Sequence, residues 1–474
     1  MMPVQIAGRV VSHLSAAELT GLALVMLGVV FAAAWALRRR IRFLGAFFIP
    51  TSVVAGFLVL LLGPDVLGAL TGSHGLFPQS ILNIWRSIPG VMISVVFAAI
   101  MIGKSLPPLT DLWQAAAPHA LMGSFLSFGQ FALGGLATIF ILMPHFGLPP
   151  ETGSLLEMSF AGGHGTISGM GALLVDAGAG ELVDIGLGLA TISMITGIVV
   201  GSALVRWAVR SPKVDLLRGT RPGRDEDYDL DRIAPPPNED PKPQGAHGAV
   251  LAFAAISLAI MVAIVILWGL RWLGQLAGLT IFDKLPLFPV AMLGGFVVQL
   301  AAGQTKLARF IDRRDVDSIA AIALDILLIC AIGTMSLATI GSNIPAVVVL
   351  TTCGVVWSVV VLVIWGKRFH KRHWFEHSIA DFGQSQGNVA TGFALADMAD
   401  PERKSTTATD YGYKQLPYEP FLGGGLVTAL SVPFITQVGL VPFTIGSLVV
   451  TVLIGVWGMR RGTRRSGREP SAAE

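Results

Sequence analysis

The sequence predicts an all-α polytopic membrane protein, and three observations carry that expectation. The chain has 474 residues, of which 53% are hydrophobic and only 13% charged; a soluble domain carries about 25% charged residues. Its mean hydropathy is +0.69. Long apolar runs recur from end to end, at the scale of roughly 20 residues that crosses a bilayer.

Taken in order, the runs fall at 19–37, 43–63, 88–103, 116–143, 183–205, 249–270, 285–303, 318–341, 344–366, 419–440 and 441–459. They give about eleven transmembrane helices. The run at 88–103 is short, and only Pro442 divides the last two. No signal-peptide cleavage pattern precedes the first run, which therefore reads as a retained span. Cys330 and Cys353 lie in apolar runs and imply no disulfide framework.

Lys and Arg set the orientation. With the N-terminus outside, the inner loops hold Arg38, Arg39, Arg40 and Arg42, the segment 206–247, Lys306, Arg309, Arg313 and Arg314, and Lys367, Arg368, Lys371 and Arg372. The C-terminal tail adds Arg460, Arg461, Arg464, Arg465 and Arg468, whereas the outer side keeps only Arg9, Arg86, Arg271 and Lys284. The C-terminus is thus expected in the cytoplasm.

Residues 210–247 are polar, proline-rich and mixed in charge, the composition of a flexible cytoplasmic linker. The linker separates an N-terminal repeat, 1–209, from a C-terminal repeat, 248–440; residues 441–474 add a helix and a basic tail. Phe48-Ile49-Pro50 with Gly56-Phe57 matches Leu287-Phe288-Pro289 with Gly295-Phe296, at a constant offset of 239 residues. Five crossings separate equivalent points, so the halves are expected to be inverted in the membrane, the plan of many secondary transporters.

Two weaker segments, 152–175 and 378–398, are too polar and glycine-rich to cross, and each reads as a re-entrant hairpin. The first carries Gly162-Gly163-His164-Gly165-Thr166 and Ser168. The second carries Asp381, Gln384, Ser385, Gln386, Gly387, Asn388 and Thr391. Gly162 to Thr166 and Gly387 to Thr391 share a Gly-x-x-x-Thr spacing. Two tips meeting near the midplane would form one polar site. Glycine admits a ligand close to the backbone, half-helix N-termini suit a carboxylate, and amide, hydroxyl and carbonyl oxygens suit Na⁺. The substrate-binding candidates are therefore Gly162, Gly163, His164, Gly165, Thr166, Ser168, Gln386, Gly387, Asn388 and Thr391. His164 reads either as a substrate ligand or as a neutral structural donor.

Asp325 stands alone in the eighth run, where an acid is a functional candidate by default, for a cation or a proton; a packing hydrogen bond is the other reading. Ser385, Gln384 and Asn343 join it as ion-coupling candidates. Gln130 and Gln299 read as interhelical glue, and Asp184 as interfacial. No metal-ligand spacing, Walker loop or dinucleotide fingerprint appears, so no cofactor is expected beyond Na⁺ as coupling ion, and no nucleic acid partner.

At Gly162-Gly163-His164-Gly165-Thr166 the sequence resembles the bacterial sodium/glutamate symporter family. The resemblance runs from about 40 to 435, through Gly294-Gly295-Phe296 and Asp381-Phe382-Gly383. It implies a Na⁺-coupled importer of glutamate or a related small carboxylate, with two inverted five-helix repeats, a re-entrant hairpin in each, and a homodimer working as an elevator in the lipid bilayer. The second tip departs from the family pattern Phe-Gly-x-Gly-Ala-Thr-Pro-Thr, since Phe382-Gly383-Gln384-Ser385 runs on to Ala390-Thr391-Gly392-Phe393 without the proline. H⁺-coupled carboxylate transport, a gated channel and an intramembrane hydrolase are the rival readings.

Overall fold

The computed structural model describes residues 14–41, 50–103, 109–211, 214, 248–278, 282–305 and 311–466. Almost all of the linker 210–247 lies outside them, as do Phe48 and Ile49 of the repeat signature and the end of the basic tail. Among the described residues every regular element is helical. In the first half these are α1 (Ala16–Arg40), α2 (Thr51–Leu62), α3 (Gln79–Ala99), α4 (Leu109–Ala137), α5 (Thr152–Phe160), α6 (Gly163–Asp176) and α7 (Glu181–Arg210). After the linker come α8 (Gly248–Leu276), α9 (Leu287–Gln304), α10 (Arg313–Gly333), α11 (Leu337–Ser342) and α12 (Ile344–Val360). Then follow α13 (Trp374–Ser385), α14 (Val389–Ala399), α15 (Thr407–Tyr418), α16 (Leu426–Val438) and α17 (Leu440–Ser466). The spans of α2, α4 and α12 continue to Thr71, Phe146 and Phe369.

The chain divides into two compact units. The first holds residues 1–104, 164–188 and 237–344. Within it α8 packs on α9, α3 on α9 and α10, and α2 on α10 and α1. The glycines of the repeat signature serve this packing. A Cβ on Gly56 would lie 2.7 Å from Ile332 of α10, and one on Gly295 would strike the Ala98 carbonyl of α3. Small residues at such crossings let helix backbones approach closely in a membrane. Trp85 ties α3 to α1 by donating to the Ala23 carbonyl at 3.0 Å. Arg313 donates to the carbonyls of Ala99 at 2.8 Å and Ile100 at 3.2 Å, closing the C-terminal end of α3, where a cation meets otherwise unsatisfied acceptors.

The second unit holds residues 105–163, 189–236 and 345–474, and α4 is its axis. Helices α5, α13, α15 and α17 all pack on α4. Their directions follow from their partners. Helix α12 runs antiparallel to α4: the Trp357 indole donates to the Leu126 carbonyl at 3.0 Å, while farther along the same chain Phe369 joins Met122 and Phe125 in a buried cluster. Helix α13 runs parallel to α4, from His377 beside His119 to Ser385 beside Gln130. Helix α5 comes from the other end, with Gly153 against Gly135. The first arms of the two glycine-rich segments thus enter from opposite ends of α4.

Among the described residues ten helices are long and apolar enough to cross a membrane, one fewer than the eleven runs in the sequence. The run at 419–440 is the difference, because Gly423-Gly424-Gly425 breaks the chain inside it. Gly423 and Gly424 hold φ of +65° and +102°, which favour glycine. What stands there is a pair of short helices beginning at Thr407. Tyr418 of α15 bonds Ser127 at 2.7 Å, Leu422 clusters with Phe131, and Ile435 of α16 lines a groove with Ile139 and Met143. The two pieces therefore follow α4 in its own direction as one interrupted helix.

Candidate functional site

Helix α5 stops at the first glycine-rich tip because the N–H groups of Ala161 and Gly162 both turn back to the Glu157 carbonyl, each at 3.0 Å. Gly163 then takes φ +71°, a left-handed conformation that costs an L side chain about 1–2 kcal/mol. The second tip reverses at Gln386-Gly387. Asn388 opens α14 by accepting from the Thr391 N–H at 2.9 Å and its hydroxyl at 3.1 Å, an N-cap. The two turns touch: a Cβ built on Gly163 would lie 3.0 Å from the Gly387 carbonyl oxygen. Each turn leads straight into a helix N-terminus, that of α6 and that of α14.

The side chains of the second tip are held by protein partners. Gln130 donates to the Ser385 carbonyl at 2.9 Å, and Gln386 donates to the Gly354 carbonyl at 3.1 Å. The Ser385 hydroxyl donates to the Phe382 carbonyl at 2.8 Å. Gln384 donates to Gln415 at 2.9 Å. These groups fix the turn.

In the first unit, His164 and Thr166 are buried and Ser168 half-buried on α6. Gly165 and Gly169 face side chains: a Cβ on Gly165 would meet Ile93 at 2.6 Å, and one on Gly169 would meet Phe288 at 2.8 Å. Of the glycines singled out in the first segment, Gly163 lies at the contact between the turns, whereas Gly165 packs a helix. Asp325 is half-buried on α10 and does not stand alone, since it has an interaction of its own. Asn343 ends α11, and its amide donates to the Thr339 carbonyl at 3.0 Å.

Two constellations escape a reading of the sequence. The first centres on Asp381, which is fully buried on α13. Its Oδ1 accepts from Lys414 Nζ at 2.9 Å, and its Oδ2 lies 2.8 Å from His119 Nδ1 and 3.0 Å from His370 Nε2. Lys414 also donates to Gln384 Oε1 at 2.7 Å and lies over the Tyr418 ring, 4.3 Å from its centroid. His119 Nε2 is 2.9 Å from His377 Nδ1. Lys414 is invisible to a hydropathy scan because α15 is polar throughout. The histidines come from positions far apart in the chain.

The second is Glu157, fully buried on α5. Its Oε1 accepts from the Gly423 N–H at 3.2 Å and from the Thr428 hydroxyl at 3.0 Å. Gly423 belongs to the break between α15 and α16, and Thr428 to the first turn of α16. Its Oε2 has no hydrogen-bond partner among the described residues, and neither do Thr152 Oγ1 and Ser159 Oγ on the same helix. A signal exists here in the sequence: Glu157 sits between Leu156 and Met158, an acid inside an apolar stretch.

Residues 15–371 match the family model of the sodium/glutamate symporters. The match takes in the first tip and ends before the second. The chain is also similar to a sodium/glutamate symporter of Haemophilus influenzae, 24% identical over 306 residues, which cover 63% of this chain and 67% of the relative.

Proposed function

The chain belongs to the sodium/glutamate symporter family, a family of transporters and not of enzymes, and on that premise we propose that it imports glutamate or a related small carboxylate across the bacterial inner membrane, driven by Na⁺. The observation that carries this reading is the meeting of Gly163 with the Gly387 carbonyl. Two turns that enter from opposite ends of α4 meet at one point, and a helix N-terminus that opens there, as α14 does after Asn388, attracts a carboxylate. Paired re-entrant hairpins in inverted repeats fit this reading, and the family resemblance adds an elevator working as a homodimer.

Na⁺ takes its place at Glu157. A buried carboxylate with one unpartnered oxygen, beside an interrupted helix, offers a cation the oxygen ligands it prefers. Glu157→Gln keeps the shape and removes the charge. In proteoliposomes that variant exchanges internal for external glutamate but fails to concentrate it under an inward Na⁺ gradient, with accumulation down at least ~10-fold. Accumulation equal to the parent's would remove Glu157 from the coupling site. In the parent, an inward Na⁺ gradient alone drives uptake; a proton gradient that does so without Na⁺ favours H⁺ coupling.

With the N-terminus outside, Ser211 at the end of α7 faces the cytoplasm. A Ser211→Cys variant in intact cells resists an impermeant maleimide until the membrane is opened. Labelling from outside reverses the orientation.

A further inference from the structure

We propose that His119, His370 and His377 form a binding site for a divalent transition metal, Zn²⁺ being the best fit, which clasps α4 to the first arm of the second hairpin. The three rings are buried, and one ligand atom from each can be chosen so that all lie within 4.8 Å of one another. Imidazole is a favoured ligand for Zn²⁺ and its neighbours in the transition series.

The backbone sets the three rings in place. His119 projects from α4. His370 and His377 flank the turn from the α12 span into α13, where His373 takes φ +45°, uncommon for a residue with a side chain. That reversal brings the rings of His370 and His377 nearly parallel, at 13°, with centroids 5.2 Å apart. His119 closes the third side, 4.4 Å from His370 and 5.0 Å from His377 between centroids.

Asp381 prepares the tautomers. An ionised carboxylate only accepts, so at 2.8 Å from Oδ2 the His119 proton sits on Nδ1, and at 3.0 Å the His370 proton sits on Nε2. The lone pairs are thereby left on His119 Nε2 and His370 Nδ1. A carboxylate behind each ligating imidazole is the usual support of a histidine metal site, and losing such support typically lowers metal affinity about 10–100-fold. Lys414 occupies the other oxygen of Asp381 at 2.9 Å, so the carboxylate orients ligands and does not itself bind the ion.

The His119–His377 pair needs little adjustment, whereas the His370 nitrogen, within 4.8 Å of the others, closes the remaining distance as the metal enters. Two nitrogens bound tetrahedrally to Zn²⁺ at about 2.0–2.1 Å stand about 3.3 Å apart. His119 Nε2 and His377 Nδ1 are 2.9 Å apart, so they must part by only about 0.4 Å. His377 must also move its Nδ1 proton to Nε2 as the metal enters.

The test uses full-length, tag-free protein in detergent, stripped with a chelator and titrated with Zn²⁺ by calorimetry. One Zn²⁺ binds per chain in the parent and in His145→Gln. His119→Gln and His377→Gln each weaken binding by at least ~10-fold. No saturable binding by the parent, or binding unchanged in the two cluster variants, overturns the site. Co²⁺ added to the parent gives a reading independent of any variant's folding. Intense visible bands mark a four-coordinate ion held by imidazoles, and a pale six-coordinate spectrum overturns the proposal.

Discussion

Gly163→Leu abolishes glutamate uptake while the purified protein stays folded and monodisperse in detergent. Two independent features of the position give this result. At φ +71° any L side chain is strained, at a cost of about 1–2 kcal/mol that a chain of this size absorbs. The added atoms then point where the two turns meet, since the first of them already lies 3.0 Å from the Gly387 carbonyl. A leucine fills the space a substrate carboxylate needs beside the two turns. Gly163→Ala, with the same strain and less bulk, retains part of the uptake. Gly169→Leu provides the contrast. Its Cβ would stand 2.8 Å from Phe288 and 3.2 Å from Ile93, so both side chains must move and the primary effect is a lower melting temperature. Uptake by Gly163→Leu at the parent's rate places the substrate elsewhere.

The membrane class and most of the spans are legible in the sequence because they depend on local composition, which a window of about 20 residues samples directly. The two glycine-rich segments are legible for the opposite reason: they fail that test while flanked by segments that pass it. The interrupted helix reads as a full span because apolar content carries the hydropathy window across Gly423-Gly424-Gly425, and because polar α15 falls below its threshold. Glycine chemistry is ambiguous from sequence, since a glycine that admits a ligand and one that admits Ile93 or Phe288 are the same letter. Isolation in sequence says little about a side chain's surroundings in the fold. Asp325 looks solitary along its helix yet has a partner. Lys414 and Asp381, 33 residues apart, bond each other in a way no local window records.

Lys414→Met destabilises the protein by about 3–5 kcal/mol, the usual consequence of removing one member of a buried ion pair and leaving the other charge behind. Both residues are fully buried, with Nζ 2.9 Å from Asp381 Oδ1. Methionine matches the lysine stem in length and keeps its packing against Tyr418, so the loss is one of charge and hydrogen bonding. His119 and His370 still donate to Oδ2, but as neutral rings they stabilise the carboxylate without cancelling it. Gln384 loses a donor at 2.7 Å as well. The double variant Lys414→Met with Asp381→Asn removes both charges and recovers most of the stability, because replacing a buried pair by neutral groups is often close to neutral overall. Equilibrium unfolding of the parent, both single variants and the double variant gives the coupling energy directly. A Lys414→Met variant as stable as the parent would mean that a protonated imidazole of the cluster, and not Lys414, balances Asp381.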